Sequence, residues 1–205
     1  MPFALLIWGI AIGVGALLGG AVVVAVLQGA KDKTLVLIGP KVAGKTTWRT
    51  FLENGTIPKG YEHTTLTEKV KAEYKLRDLN LRVKIEDLSG SDDAVNEWRK
   101  AARYGDHVFY FVDVSRLADE KYKRMVRQYA RLIASWEDVK APVSLVASHA
   151  DLMAGWPGES DDIRTREDVA ELRQLSGATR TLLAGLGSID GCRDFTLTAL
   201  ANLGK

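Results

Sequence analysis

The stretch of sequence that decides the fold is Gly39-Pro40-Lys41-Val42-Ala43-Gly44-Lys45-Thr46-Thr47. It matches the pattern G-x-x-x-x-G-K-[ST], in which a glycine-rich loop wraps its backbone N–H groups around phosphate oxygens. Its context also fits, because Thr34–Ile38 is an apolar, β-branched run of strand length and Thr46–Leu52 is typical of the start of a helix. Gly39 and Gly44 allow the backbone to approach phosphates closely at the positive end of that helix. The stretch therefore predicts a nucleotide site.

Two side chains of this loop are predicted to act on the phosphates directly. Lys45 should reach the β- and γ-phosphates, and the Thr46 hydroxyl should bind Mg²⁺. A chance glycine loop is the alternative, which the flanking strand and helix disfavour. The predicted nucleotide-binding residues of the loop are Gly39, Lys41, Val42, Ala43, Gly44, Lys45, Thr46 and Thr47.

Composition argues against several other kinds of site. The formal net charge of +2 over 205 residues gives no electrostatic reason to expect a nucleic-acid partner. The single cysteine, Cys192, excludes an internal disulfide, and neither it nor the three histidines has the spacing of a zinc site. We therefore expect any metal ion to arrive with the nucleotide phosphates.

The N-terminal part of the chain has the composition of a membrane anchor. Residues 3–27 contain no charged side chain and are long enough to cross a bilayer as a helix. The alternatives are a cleaved signal peptide, which would have a basic start, and a buried soluble helix, which is rarely apolar on all sides. Lys31 and Lys33 follow the run, so the positive-inside rule places the C-terminal side in the cytoplasm and the N-terminus outside. The predicted organisation is a transmembrane anchor, residues 1–30, and a globular domain, residues 31–205.

The globular domain alternates predicted strands with predicted helices. Val70–Leu76 and Leu81–Ile85 alternate apolar and polar residues and predict an antiparallel hairpin. Helices are expected over residues 92–103 and around residues 122–136 from the spacing of their apolar side chains. The other expected elements are the buried strands His107–Asp113 and Pro142–Ala147, a helix with a capping box formed by Thr165 and Asp168, and a last strand Phe195–Leu200. This order predicts a three-layer α/β fold with a mainly parallel sheet, whose strands carry the ligand at their carboxyl ends.

Asp87-Leu88-Ser89-Gly90 follows the hairpin at the end of a predicted strand. The carboxylate can hold Mg²⁺ through water, and the glycine N–H can bind a γ-phosphate as the loop closes. With this motif and with Gly39–Thr47, Glu97-Trp98-Arg99 and Phe109–Asp113, the chain resembles the Ras-like small GTPases, particularly their Arf/Sar branch. In joining an anchor directly to such a domain, it also resembles the β subunits of signal-recognition-particle receptors.

The resemblance implies further site residues. In such proteins a threonine before the hairpin closes over Mg²⁺, and Thr64 is the first choice for it and Thr65 the second. The guanine-reading motif N-K-x-D corresponds to Ser148-His149-Ala150-Asp151, whose carboxylate would accept two hydrogen bonds from guanine while the imidazole lies against the base. Thr198-Ala199-Leu200 resembles the family's final base-contacting loop. The implied ligands are GTP or GDP and Mg²⁺, and the predicted metal ligands are Thr46, Thr64, Thr65 and Asp87.

Three departures from the family are visible. Relatives orient the attacking water with a glutamine or histidine at the position of Ser91, whose side chain is too short. Lys41 lies where a side chain tends to crowd that water, although it could instead add charge near the phosphates or face the solvent. Residues 201–205 are too few for the closing helix of the fold, so we expect a partner to complete the core or the natural chain to be longer. The catalytic candidates are Lys45, Thr64, Gly90 and Ser91.

Two functions remain open on these grounds. The first is a membrane-anchored GTPase switch with slow or partner-assisted hydrolysis, which docks a protein partner through the switch loops Thr64–Thr67 and Asp87–Asp93. The second is a module that binds GTP without cleaving it and scaffolds a partner at the membrane. An ATP-using enzyme is disfavoured by Asp151, because adenine cannot donate two hydrogen bonds to a carboxylate.

Overall fold

A computed structural model describes residues 32–58, 67–76, 79–88, 90, 94–201 and 203. The predicted anchor, residues 1–30, lies outside them, as do Thr64, Thr65 and Ser91. Within the described residues, none of the helices combines the length and the apolar character needed to span a bilayer.

The described strands form one sheet. They are β1 (Thr34–Ile38), β2 (Thr67–Leu76), β3 (Leu79–Leu88), β4 (His107–Asp113), β5 (Val143–Ser148) and β6 (Arg180–Ala184). Their order is β2-β3-β1-β4-β5-β6, and all neighbours are parallel except the hairpin β2–β3. We call the edge at which the five parallel strands end the carboxyl edge, and the edge at which they begin the amino edge.

Helices cover both faces of this sheet. They are α1 (Lys45–Asn54), α2 (Val95–Tyr104), α3 (Glu120–Ala134), α4 (Ser160–Thr165), α5 (Glu167–Leu175) and α6 (Ile189–Ala201), with 3₁₀ turns at Val114–Arg116 and Ala150–Leu152. Buried side chains of α1 and α6 form a core on one face, and those of α2, α3 and α5 form a core on the other. The predicted three-layer α/β fold with a mainly parallel sheet is therefore confirmed.

Alternation along β1 explains why there are two cores. Leu35 and Leu37 join the core under α1 and α6, whereas Val36 and Ile38 join the opposite one, and all four are 0 % exposed. Side chains of a strand point to opposite faces in turn, so a strand covered on both sides must be apolar throughout. The loop that follows β1 is thereby fixed at the centre of the carboxyl edge.

One tryptophan connects the helix after the glycine loop to α6. Trp48 is fully buried, and its ring centroid lies 5.3 Å from that of Phe109 and 4.8 Å from that of Phe195, both edge to face. Its indole Nε1 donates a hydrogen bond to Thr196 Oγ1 at 2.9 Å. Aromatic pairs of this geometry contribute about 0.5–1.5 kcal/mol each beyond their burial. The cluster therefore holds α1, and with it the glycine loop, against β4 and α6.

The hairpin is longer than predicted. β2 and β3 pair from Thr67 opposite Leu88 to Leu76 opposite Leu79, beyond the predicted bounds of 70–76 and 81–85. Backbone hydrogen bonds build an antiparallel ladder whatever the polarity of the side chains, so the pairing continues past the residues whose alternation indicated it.

The predicted last strand is wrong. Phe195–Leu200 lies within α6, and the last strand is β6, which the sequence had not indicated. Thr196 and Thr198 suggested a strand, but their hydroxyl groups donate to the carbonyl oxygens four residues earlier, at 2.7 and 3.0 Å, and so fit a helix. Because α6 is a closing helix, the expectation that the chain lacks one is also wrong.

The predicted capping box is wrong as well. Thr165 is the last residue of α4, and its hydroxyl donates to the carbonyl oxygen of Asp161 at 2.9 Å. Arg166 occupies the N-cap position of α5 without a side-chain cap, and its guanidinium donates to the Asp168 carboxylate at 2.7 Å. The short helix α4 takes up the threonine that would otherwise cap α5.

Candidate nucleotide-binding site

The glycine loop connects β1 to α1 at the carboxyl edge. A Cβ atom on Gly39, where φ is 134°, would lie 2.2 Å from the carbonyl oxygen of Phe111, so only glycine fits. Gly44 is the N-cap residue of α1 with φ of 84°, and no side chain caps this helix. The first N–H groups of α1 can therefore bind an anion, which the helix dipole also favours.

Lys45 is folded back into this loop. Lys45 is 5 % exposed, and its Nζ donates to the carbonyl oxygens of Gly39 and Pro40 at 2.8 Å each. These bonds hold the loop curved around the ammonium group. A cation in this place can contact the β- and γ-phosphates of a nucleotide while the loop keeps its shape.

The motif after the hairpin lies against the same loop. A Cβ atom on Gly90 would lie 2.2 Å from Lys41 N and 2.3 Å from Pro40 C, so the backbone of Gly90 approaches the glycine loop as only glycine permits. Asp87 pairs in register with Leu37, near the end of β1. The structure therefore brings these two motif positions beside the predicted phosphate site, whereas Ser91 lies outside the described residues.

A second group of polar residues lies after β5 and β6. Asp151 Oδ2 accepts a hydrogen bond from Gly187 N at 3.2 Å. Asp151 Oδ1 is buried and has no hydrogen-bond partner among the described residues. A buried acceptor left unsatisfied costs about 1–3 kcal/mol. A ligand that donates hydrogen bonds, as the edge of guanine does, would satisfy it.

The neighbouring histidine is positioned by a buried carboxylate. His149 adopts a left-handed backbone with φ of 57°, and its Nδ1 lies 3.7 Å from Asp113 Oδ1 and 3.3 Å from Ser148 Oγ. Asp113 is 4 % exposed and accepts hydrogen bonds from the N–H and hydroxyl of Ser115. Ser148 donates its hydroxyl to the carbonyl oxygen of Val112 at 3.0 Å, so this side chain ties β5 to β4.

These observations match one family. The model of the ADP-ribosylation factor family matches residues 21–184 of the chain. The chain belongs to the ADP-ribosylation factor family. A search of curated proteins gives no match. Membership confirms the predicted resemblance to Arf-type small GTPases, a class that binds GTP through a phosphate-binding loop, while the likeness in layout to signal-recognition-particle receptor β subunits stays a prediction.

In this Arf-family chain, two predicted base-contacting residues do not lie in a loop. Thr198 and Ala199 belong to α6, where Ala199 is 0 % exposed, so the prediction that they form the last loop of the site is wrong. The segment that lies beside Asp151 is instead Gly185-Leu186-Gly187, directly after β6. A short apolar run followed by two glycines is the sequence signal that could have identified it.

The loop after β6 also contacts the glycine loop. A Cβ atom on Gly44 would lie 2.8 Å from Leu186 Cδ1, and one on Gly187 would lie 2.4 Å from Asp151 Oδ2. Cys192, in α6 after this loop, is buried. Burial, and to a lesser extent the charge of Asp151, raises the pKa of its thiol to about 11, so this cysteine stays neutral and unreactive at physiological pH. The predicted phosphate and base ends of the site thus meet along one edge of the Arf-family domain.

The remaining loop residues differ in exposure. Lys41 is exposed and directed to the solvent, one of the alternatives that its sequence position allowed. Val42 is 52 % exposed with φ of 64°, whereas Ala43 is 1 % exposed and packs in the core beneath α1. Thr46 and Thr47 lie in the first turn of α1, half-buried.

Proposed function

We propose that this protein is a membrane-anchored GTPase switch, which binds GTP with Mg²⁺, docks a protein partner and hydrolyses GTP slowly or with a partner's help. Two features of the carboxyl edge carry the proposal together. One is the Lys45 ammonium group held inside the glycine loop, and the other is the buried Asp151 oxygen without a hydrogen-bond donor in the described chain.

The Asp151 carboxylate supports guanine as the base. Guanine donates from N1 and from its exocyclic amine, so it can satisfy Oδ1 and share Oδ2 with Gly187 N. Adenine presents an acceptor at N1 and can donate only from its exocyclic amine, so it cannot supply both hydrogen bonds. His149, held near Asp113, is the residue proposed to lie against the face of the base.

Thr46 and Asp87 are the proposed Mg²⁺ ligands of the described chain. Thr46 follows Lys45 in the first turn of α1, and Asp87 lies opposite Leu37 at the carboxyl edge. Hydroxyl and carboxylate oxygens are hard ligands of the type Mg²⁺ prefers, directly or through water. The resemblance to small GTPases adds Thr64, or else Thr65, as the ligand that closes over the metal when γ-phosphate is bound.

Slow turnover is proposed from the residues around the γ-phosphate. Gly90 can offer its N–H beside the glycine loop, where its backbone already lies. The Ser91 side chain is a single CH2OH group and cannot reach a water as glutamine does. These residues favour a long-lived GTP state, in which the segments 64–67 and 87–93 form the docking surface for a protein partner.

Membrane attachment is proposed from the sequence of residues 3–27, which contain no charged side chain. Lys31 and Lys33 after this run favour a cytoplasmic position of the GTPase domain, where nucleoside triphosphates are available, and an external N-terminus.

The nucleotide released on denaturation tests the proposal. The full chain is purified in detergent, unfolded, and the released nucleotide is identified by chromatography. GTP or GDP is expected, GTP if hydrolysis is slow and GDP if it is fast. Recovery of ATP would contradict the guanine assignment.

Single-turnover hydrolysis of bound GTP tests the proposed cause of slow turnover. The wild-type rate should not exceed the scale of about 10⁻⁴ s⁻¹ of an unassisted small GTPase. Ser91→Gln combined with Lys41→Gly should exceed either single change, because both act on one water. No gain in the double variant would favour a module that binds GTP without cleaving it.

A further inference from the structure

The amino edge is a continuous rim on the side of the sheet away from the nucleotide site. Thr34 N donates to Asp106 Oδ2 at 2.8 Å, and Asp106 N donates to Thr34 O at 2.9 Å. Val108 N donates to Pro142 O at 3.0 Å, and Thr179 N donates to Val143 O at 2.9 Å. These bonds join the starts of β1, β4, β5 and β6, so the connections before them form one surface.

The described chain begins at this rim. Lys33 leads into β1 and its Nζ donates to Asp106 Oδ1 at 3.2 Å. Only five residues separate residue 33 from residues 3–27, the run without charged side chains. Five extended residues reach at most about 18 Å. A bilayer that takes up this run therefore lies close to the amino edge, whichever conformation the linking residues have.

Three helices end in exposed arginines at the amino edge. The first turns of α2, α3 and α5 lie towards the carboxyl edge and carry the acidic residues Glu97, Glu120, Glu167 and Asp168, with the basic Lys121 beside Glu120 in α3. Their last turns lie towards the amino edge and carry Arg103, Arg131 and Arg173, all exposed. This arrangement suits the helix dipoles, and it places three exposed guanidinium groups at the amino edge.

Acidic side chains at the amino edge form ion pairs with basic ones. Asp138 lies between two guanidinium groups, Arg99 at 2.9 Å and Arg103 at 2.5 Å, and the hydrogen bond from Arg99 lowers the pKa of this carboxyl. One carboxylate shared by two cations leaves an excess of positive charge. Lys140 and Arg173 bond backbone carbonyl oxygens, of Glu137 and Thr179, which do not neutralise them.

An aromatic side chain projects from the same rim. Tyr104 ends α2 and is 82 % exposed, the most exposed of the large hydrophobic residues in the described chain. Tyrosine is enriched at membrane–water interfaces, where its ring lies among headgroups and its hydroxyl stays hydrated. A solvent-exposed position beside Arg103 suits that environment.

The hairpin β2–β3 extends past the amino edge. Thr34 at the start of β1 pairs with Lys84, whereas β3 begins five residues earlier at Leu79, so the hairpin projects about 17 Å beyond the amino edge at 3.3 Å per residue. Residues 71–84 contain five basic and two acidic side chains. The basic ones are Lys71, Lys75, Arg77, Arg82 and Lys84.

We propose that the amino edge, with Tyr104, Arg103, Lys140 and Arg173, lies against the anionic headgroups of the membrane that takes up residues 3–27. This inference rests on the anchoring part of the proposed function. Each basic side chain near an anionic leaflet contributes about 1 kcal/mol of attraction, within a Debye length. The carboxyl edge is turned away, so the nucleotide site faces the cytoplasm and partners reach it without contacting lipid.

Quenching of probes at the two edges tests this orientation. Cys192 is buried and the only cysteine, so Tyr104→Cys and Ala118→Cys allow selective labelling of the exposed positions 104 and 118. Position 118 follows β4, whose seven residues separate the edges by about 23 Å. The full chain is reconstituted into phosphatidylcholine vesicles with 30 % phosphatidylserine and a nitroxide-headgroup lipid. Position 104 should be quenched at least threefold more than position 118, and equal or reversed quenching would overturn the proposal.

Charge reversal distinguishes the surface from the anchor. Lys140→Glu with Arg173→Glu should reduce the quenching at position 104 at least twofold, whereas the control Lys121→Glu with Arg193→Glu, at the carboxyl edge, should not. Unchanged quenching in the first variant, with wild-type nucleotide content in both, would refute a role for these charges.

If the wild type fails to float with pure phosphatidylcholine vesicles, the anchor proposal fails. In that case, flotation of the wild type with the anionic vesicles that is lost in the first variant and kept in the control would support membrane contact by the amino edge. Failure of the wild type to float with the anionic vesicles would overturn it.

Discussion

Glycines at the two edges of the sheet serve different purposes. At the carboxyl edge, a Cβ atom would lie 2.2 Å from backbone atoms at Gly39 and at Gly90, and 2.4 Å from a carboxylate oxygen at Gly187. At the amino edge, Gly55 and Gly177 follow α1 and α5 with positive φ, and a Cβ atom there would have no neighbour within 4 Å. The amino-edge glycines terminate helices, whereas the carboxyl-edge glycines let segments of backbone approach one another.

Hydrogen bonding differs between the edges in the same way. At the amino edge the backbone and side chain of Asp106 both bond Thr34, and His107 bonds Ser144 at 2.8 Å. At the carboxyl edge α1 begins without a side-chain cap, and Asp151 Oδ1 is buried without a partner among the described residues. The amino edge therefore stabilises the fold, while the carboxyl edge keeps groups that a ligand can satisfy.

Removal of the loop cation should have the largest effect on the carboxyl edge. Lys45→Ala should weaken nucleotide binding by about 10²- to 10⁴-fold, because two charge-assisted contacts to phosphates are worth about 1.5–3 kcal/mol each. Lys41→Ala, at the exposed position of the same loop, is the control and should change the affinity less than threefold. Titration with a fluorescent guanine nucleotide measures both, and wild-type affinity in Lys45→Ala would refute the assignment.

The largest pH effect should come from the amino edge. Burial, and then the charge of Arg180, lower the pKa of His107 from 6.5 to about 4. Below about pH 6.5 the imidazole of His107 binds a proton in the unfolded chain but not in the folded one. The free energy of unfolding is therefore highest above pH 6.5 and falls as the pH is lowered towards 4. The loss approaches about 3 kcal/mol.

Denaturant unfolding at pH 7 and pH 4.5 checks this effect. His107→Gln, whose amide can still bond Ser144, should lose less of its free energy of unfolding between the two pH values than the wild type does. Equal losses in both proteins would show that other groups cause the acid sensitivity.

Substitution of Asp151, the carboxylate proposed to read the base, should have an intermediate effect. Asp151→Asn should lower guanine-nucleotide affinity by about 10- to 150-fold, since a charge-assisted hydrogen bond is worth about 1.5–3 kcal/mol. The amide can donate to the extra carbonyl of xanthine, so xanthine nucleotides should bind the variant better than guanine nucleotides do. Competition between the two nucleotides measures the change, and an unaltered preference for guanine would exclude Asp151 from base recognition.

A pair of glycine substitutions should give the smallest and most selective effects. Gly187→Ala would push its methyl group against Asp151 and should weaken guanine binding about tenfold while leaving the free energy of unfolding nearly unchanged. Gly177→Asn, at a helix end that tolerates a left-handed asparagine, should cost less than about 1 kcal/mol of stability and leave binding intact. The contrast fails if both variants lose binding, or if both lose only stability.

Much of the fold was predictable where local pattern and tertiary environment agree. The strand His107–Asp113 has the predicted bounds, because a strand covered on both faces is a continuous apolar run in any such sheet. The hairpin was recognised from its alternation, although its ends were not. The glycine loop was recognised because phosphate binding requires its residue types at fixed spacing.

The C-terminal part was predicted poorly because local pattern there is ambiguous. β6 has five residues and is placed by its pairing with β5, a contact that no local spacing reveals. Phe195–Leu200 alternates apolar residues with threonines as a strand does, yet Cys192, Phe195, Thr196, Ala199 and Leu200 are buried together on one side of α6. Packing against Trp48 and the sheet decides for the helix.

The sequence by itself predicted the nucleotide site and determined the small-GTPase family, because the backbone geometry around phosphates allows few residue types at few positions. Only the tertiary structure decided which loop lies beside Asp151 and that one of its carboxylate oxygens has no donor, since both depend on how β5 and β6 pair. The same is true of the exposed arginines at the amino edge. Acidic and basic residues are nearly balanced along the chain, and the order of strands and helices is what brings Arg103, Arg131 and Arg173 to one edge.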